Sequence, residues 1–249
     1  MRIADDFGLG RAHDRVILSL LETGRLDGTS VMMSSALRSD DIAKLQELRR
    51  DGVKIGLHLN LTEELPGTAP KWPLPQILRP MLSKQTLDAI SKSLSEQATA
   101  FIELFGSPPD YYDGHQHCHC FPSIAPLVSR LPYGPSTWVR APLPATLQGI
   151  WLNFRAGGAK TLLVMAYAAR AKRLFIRDGL QTNIDFSGFL RLDDPASVRQ
   201  WLPRLLSSAG PQCLIMLHPG DDTDPIQCKG HAPASRSVEA KILEGSLKE

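Results

Sequence analysis

Cysteine is scarce in this 249-residue chain. The four present, Cys118, Cys120, Cys213 and Cys228, form no CxxC pair and are too few for a disulfide scaffold. A reducing cytosol is the expected setting, hence a cytoplasmic protein. Long apolar runs are missing too. No stretch approaches the ~20 apolar residues of a membrane span, and the most apolar one, Thr161 to Ala169, reads as the core of a helix. The opening residues, Met1-Arg2-Ile3-Ala4-Asp5-Asp6, lack the apolar centre of a signal peptide. Charge is close to balance, with 28 basic and 26 acidic residues and no concentrated Lys/Arg stripe, which disfavours nucleic acid as the main ligand. Neither GxGxxG nor GxxxxGKS/T occurs, so the usual nucleotide signatures are absent.

What the chain does have is short apolar runs alternating with amphipathic helical stretches. Strands are predicted at Arg2 to Ala4, Ser30 to Ser34, Val53 to Leu59, Tyr111 to Asp113, Thr137 to Arg140 and Cys213 to Leu217. Helices are predicted at Arg11 to Thr23, from a capping Ser39 to Gly52, from Ser83 to Gly106, after Pro122, at Asp194 to Ser208 and from about Ser235. The proline-rich stretch from Glu64 to Pro80 reads as a long loop of the kind that binds ligands. About seven βα units in one domain spanning 1–249 argue an α/β fold with a parallel sheet. A closed or nearly closed (β/α) barrel is the first choice and an open doubly wound sheet the second.

Three of the seven histidines fall within five positions, in Asp113-Gly114-His115-Gln116-His117-Cys118-His119. Imidazole is the commonest protein ligand for a transition metal. In extended backbone, positions i, i+2 and i+4 share a face, so His115, His117 and His119 are expected to crowd one side of a strand or of the loop leaving it. Other polar clusters also follow predicted strands: Asp5-Asp6, His58-Leu59-Asn60 and His218-Pro219-Gly220. A parallel barrel builds its site at the C-terminal ends of its strands. Adjacent carboxylates repel unless a cation or proton is shared. One Asp and two His suit an open metal site that leaves room for water and substrate. His13 and His231 stand outside these clusters and are expected at the surface. A zinc knuckle of Cys118 and Cys120 with His117 and His119 lacks the separated second ligand pair that structural zinc sites use.

Taken in order, Ala4-Asp5-Asp6-Phe7-Gly8-Leu9, Gly56-Leu57-His58-Leu59-Asn60, Phe101-Ile102-Glu103-Leu104-Phe105-Gly106, the 113–119 run and Leu217-His218-Pro219-Gly220 resemble the YdjC-like carbohydrate deacetylases. That family includes chitooligosaccharide and hopanoid-biosynthesis deacetylases. The resemblance implies a barrel related to those of polysaccharide deacetylases, and one divalent metal, magnesium by family and zinc by donor type. It implies hydrolysis of the acetyl amide of an N-acetylated amino sugar through a metal-bound water. Carried over by motif, Asp6, His58 and His115 are the metal ligands, Asp5 the general base and His218 the general acid. His117 and His119 line or support the site, and Arg140 orients a carboxylate or touches substrate. The expected partner is an acetylated sugar, and the sequence leaves a homo-oligomer open. A hydrolase of another bond, such as a phosphoester, would need anion-binding groups near the metal. A non-catalytic sugar-binding protein would not need both Asp5 and His218.

Overall fold

The computed structural model describes residues 1–33, 37–65, 71–223 and 232–246. Eight strands form a single sheet: β1 (Arg2–Phe7), β2 (Gly28–Val31), β3 (Lys54–Leu59), β4 (Tyr111–Gly114), β5 (Trp138–Val139), β6 (Gln181–Thr182), β7 (Asp185–Ser187) and β8 (Cys213–Leu217). The spatial order is β6-β5-β4-β3-β2-β1-β8-β7 and the pairings are parallel. This order runs round a circle in sequence without the reversal that defines a doubly wound sheet. The fold is therefore a curled, barrel-like parallel sheet, open between β6 and β7, and the doubly wound alternative is set aside. Eight strands stand where about seven units were expected. The two strands with no counterpart among the six predicted are β6 and β7, too short at two and three residues to leave a periodic trace.

The α-helices among the described residues are α1 (Arg11–Glu22), α2 (Ser39–Arg50), α3 (Leu74–Ile77), α4 (Lys84–Phe105), α5 (Ala125–Val128), α6 (Leu147–Gly157), α7 (Lys160–Arg177), α8 (Pro195–Ser208) and α9 (Pro233–Glu244). Their ends follow capping chemistry. The Ser83 side chain accepts from the Thr86 N–H at 3.2 Å, and α4 stops at Gly106, whose φ of 74° needs no Cβ. Asp194 caps α8 by accepting from Ala196 and Ser197. Ser39, expected as a cap, is instead the first residue of α2, after Arg38. The stretch from Glu64 to Pro80 is not wholly irregular, since α3 forms one turn within it; Pro66 and Pro70 lie outside the described residues.

Strand alternation separates two apolar layers. Ala4, Ile215 and Leu217 pack outward into the main core beneath the helices, while Ile3, Leu214 and Met216 belong to an inner cluster with Tyr111, Phe186 and Phe189. Met165 of α7 joins that inner cluster. Period-2 patterning thus builds both a helix-facing core and a filled barrel interior. The inner layer is tightest at Gly56. A Cβ there would lie 2.3 Å from the Tyr111 ring, whose hydroxyl is 3.0 Å from Ser30 Oγ. Gly56→Ala is expected to destabilise the protein by about 1–3 kcal/mol, the usual penalty of overpacking. Urea unfolding checks this, and an unchanged midpoint would contradict it.

Candidate metal centre

The two acids of β1 are adjacent, and a regular strand would send their side chains to opposite faces. Here the pairing with β2 slips between Ala4 and Phe7, and Asp6 takes φ 68°. Such a bulge re-aims side chains, and left-handed backbone at a non-glycine residue is uncommon enough to mark a functional constraint. Both carboxylates consequently turn into the same buried site, each 2% exposed. Gly8 follows with φ 94°, and a Cβ on it would meet the Met32 carbonyl at 2.8 Å. The Gly8 N–H donates to Asp14 Oδ1 at 2.7 Å, so α1 ties down the turn.

The ends of β3 and β4 bring the imidazoles. His58 Nε2 lies 3.1 Å from Asp6 Oδ1, and His115 Nδ1 lies 2.9 Å from the same oxygen. Ligand atoms of Asp6, His58 and His115 all fall within 4.8 Å of one another. Metal bonds of about 2.0–2.2 Å would set neighbouring ligands about 3 Å apart. The second nitrogen of each ring faces another carboxylate: His58 Nδ1 is 2.7 Å from Asp113 Oδ1, and His115 Nε2 is 3.7 Å from Glu63 Oε1. Carboxylates in these positions fix the tautomer and raise the basicity of a metal-binding imidazole.

Asp5, His58 and Asp113 form a second group with suitable spacing. A cation already occupies it. Arg140 Nη1 and Nη2 lie 2.6 and 2.8 Å from the two Asp5 oxygens, and Nη2 lies 2.7 Å from Asp113 Oδ2. Of these two groups among the described residues, the Asp6 group is the one left suited to a metal. Arg236 takes the other Asp6 oxygen, with Nη2 at 2.5 Å from Oδ2, and leaves Oδ1 to the imidazoles. Three buried carboxylates, Asp5, Asp6 and Asp113, thus face two buried guanidiniums. The unit of negative charge left over is offset by a proton on His58 in the metal-free protein, a place that a bound cation would take instead.

The site's electrostatics sort the two adjacent acids. Burial raises the Asp5 carboxyl above the ordinary range and outweighs Arg140. Burial also opposes ionisation of Asp6, but Arg236 and His115 hold it well below that range. Asp6 therefore stays an anion while Asp5 holds a proton more readily. Burial disfavours charge on His58, yet Asp113 and Asp6 lift it to about 10 in the metal-free protein.

The 113–119 run does not alternate along a strand. His115 to Cys120 form a 3-10 turn in which Gln116 and His117 have φ 52° and 58°. The three histidines therefore diverge. His115 joins Asp6. His117 packs edge-on against Phe189 with ring centroids 5.4 Å apart. His119 is fully buried, its Nε2 2.9 Å from the Arg140 carbonyl oxygen, and burial pushes it down to about 4. Arg140 is 1% exposed. Burial of Arg140 and His119 suits support of the site rather than contact with a sugar, and His117 alone of the three expected substrate contacts is partly open. Cys118 and Cys120 are buried free thiols.

His218 follows β8, whose Leu217 pairs with Ala4, so it stands beside the β1 acids. Burial pushes its ring down to about 3. His13, expected at the surface, is fully buried instead. Its Nδ1 accepts from the Asp221 N–H at 2.8 Å and braces the loop after His218. His231, Cys228 and Asp224 lie outside the described residues. Sequence reading passed over Arg236 and Glu239, both on α9. The available signal was a charged pair three residues apart on a helix flanked by Val238 and Ala240.

The barrel-like parallel sheet thus carries an Asp-His-His group near the C-terminal ends of its strands, buried at Asp6 and His58 and partly open at His115. The YdjC-like protein family matches residues 3–246, and the chain belongs to that family. It is 33% identical over 134 residues to a chitooligosaccharide deacetylase of Salmonella typhimurium, covering 51% of this chain and 52% of that protein. The chain thus spans about half the length of this and similar curated relatives. A chitooligosaccharide deacetylase of Proteus mirabilis is 26% identical over 264 aligned positions, covering 99% of this chain and 90% of that protein. Among solved structures, a protein provisionally described as a cellobiose-phosphate cleavage protein of Enterococcus faecalis V583 superimposes with TM-score 0.58 at 16% identity, covering 99% of this chain and 92% of that one. That likeness supports the fold.

Proposed function

We propose that this protein is a metal-dependent carbohydrate deacetylase that removes the acetyl group from an N-acetylated amino sugar. The observation that carries this reading is the convergence of His58 Nε2 and His115 Nδ1 on Asp6 Oδ1, and the deacetylase relatives supply the substrate class. Asp6, His58 and His115 would hold one divalent ion. Magnesium follows from the family, and the two imidazoles suit zinc as well. When bound, such an ion polarises the acetyl carbonyl and lowers the pKa of water.

The chain's own residues supply the rest. Asp5 accepts a proton from the attacking water, and burial makes it the more basic of the adjacent acids. Arg140, held on both Asp5 oxygens, fixes that carboxylate in place. His218 passes a proton to the leaving nitrogen as the C–N bond breaks, the proton that Asp5 took from water makes good the one His218 gave, and the products are acetate and a free amine. His117 and Phe189 provide a partly apolar wall beside the turn. A phosphoester substrate fits less well, because Arg140 and Arg236 are already bound to Asp5, Asp113 and Asp6. Among the described residues no helix is long and apolar enough to cross a membrane. The buried free thiols accord with a reducing, cytoplasmic setting.

The test is acetate release from N-acetylated chito-oligosaccharides by metal-loaded protein. Asp5→Asn is expected to slow it by about 10²-fold, at the low end of what a general base contributes. The reading fails if no such sugar yields acetate.

A further inference from the structure

α9 reaches the site through Arg236 and Glu239, which bond Asp6 and the His218 amide. Arg236 and Glu239 are three residues apart and so lie on one side of the helix. Arg236 holds Asp6, as described above. Glu239 is fully buried, and its Oε2 accepts from the His218 N–H at 2.7 Å. Its other oxygen, Oε1, lies 3.9 Å from His218 Nδ1, and neither atom has a hydrogen-bond partner among the described residues. Two buried polar atoms left facing each other need a physical reason. A movement of about 1 Å would bring them within hydrogen-bond range.

We propose that Glu239 is the positioning residue of His218, holding the backbone at its amide and the imidazole at its Nδ1 edge. This rests on the deacetylase reading, in which His218 delivers the proton to the leaving nitrogen. With Nδ1 turned to Glu239, Nε2 is the nitrogen left for the substrate. The loop after His218 is also packed closely. The Gly220 N–H donates to the Arg236 carbonyl oxygen at 3.1 Å, and a Cβ on Gly220 would meet His13 Nδ1 at 2.4 Å. Burial raises the Glu239 carboxyl to about 7 while it lowers His218 to about 3, so Glu239 is the stronger proton holder of the two.

The experiment compares Glu239→Gln and Glu239→Ala, each in the native background and with His218→Ala. Acetate kinetics, metal content and the amide spectrum are the readouts. Glu239→Gln keeps size and one acceptor oxygen. It is expected to lower kcat about 10–100-fold, as loss of a group that orients a functional imidazole does, with KM and metal content unchanged. In the His218→Ala background the same change is expected to cost less than about twofold, because a residue acting through His218 has nothing left to orient. Equal losses in both backgrounds would overturn the proposal, as would a loss confined to KM or to metal content. The His218 amide proton gives a readout independent of turnover. In the native protein it should resonate downfield and exchange slowly, and Glu239→Gln should move it upfield. A rapidly exchanging, ordinary His218 amide in the native protein overturns the proposal even if neither variant folds. If native protein releases no acetate while this amide behaves as expected, the deacetylase reading fails and the Glu239–His218 contact stands.

Discussion

Replacing His58 with alanine is expected to empty the metal site and lower acetate release by about 10³-fold or more. His58 offers Nε2 to the site while Asp113 holds its Nδ1, so one substitution removes a ligand and leaves Asp113 with no imidazole to orient. Two ligands, Asp6 and His115, remain, and one of these is partly open to solvent. Charge stabilisation by a bound metal amounts to several kcal/mol, and each 1.36 kcal/mol is about tenfold in rate. Elemental analysis after dialysis, beside the native protein, separates loss of metal from loss of fold. Metal retained at the native level would refute the ligand set. Acidity should weaken binding in the native protein too, because His58 must be neutral to ligate. Its folded pKa of about 10 lies above the ordinary imidazole value. The charged ring therefore stabilises the metal-free protein fully below about pH 6.5. That contribution fades as pH rises toward 10, over the range in which metal affinity should grow.

Arg140→Met is expected to destabilise the protein by about 3–5 kcal/mol near neutral pH, the range found when one partner of a buried ion pair is removed. Asp5 and Asp113 share this guanidinium, and methionine fills much of the volume without its charge. The loss should shrink in acid. In the native protein Asp113 is held below the ordinary carboxylate range, burial being overcome by Arg140 and His58. Its contribution is therefore present above about pH 4 and is lost as pH falls through its depressed folded value. Asp5 is raised, so burying it already opposes stability above the ordinary carboxylate pKa. Without Arg140 both acids take up protons more readily, and protonation removes the unpaired charge. Unfolding by urea at pH 7 and pH 4.5 checks this, and a penalty that is small or grows in acid would contradict it.

Asp113 shows how much of the site was legible. In the sequence it was only the acid beside the histidines. In the structure it joins His58 to Arg140, because β3 and β4 pair His58 with Asp113 in register. Arg236 and Glu239 belonged to a helix predicted from about Ser235, but no local pattern tells which buried face meets which strand end. The histidine run misled in one respect. Alternation implied one shared face, whereas left-handed backbone at Gln116 and His117 sends the three rings apart.

Apolar periodicity by itself determined the succession of strands and helices, since it depends only on neighbours along the chain. The polar residues closing β1, β3, β4 and β8 were placed at strand ends by the same pattern. Tertiary structure alone decided that Asp5 and Asp6, side by side in sequence, take different partners. The slip in β1 turns both acids inward, and residues more than a hundred positions away then divide them, Arg140 taking Asp5 and His115 and Arg236 taking Asp6. Which charge meets which is settled by sheet register and helix docking, long-range contacts to which a local sequence pattern carries no information.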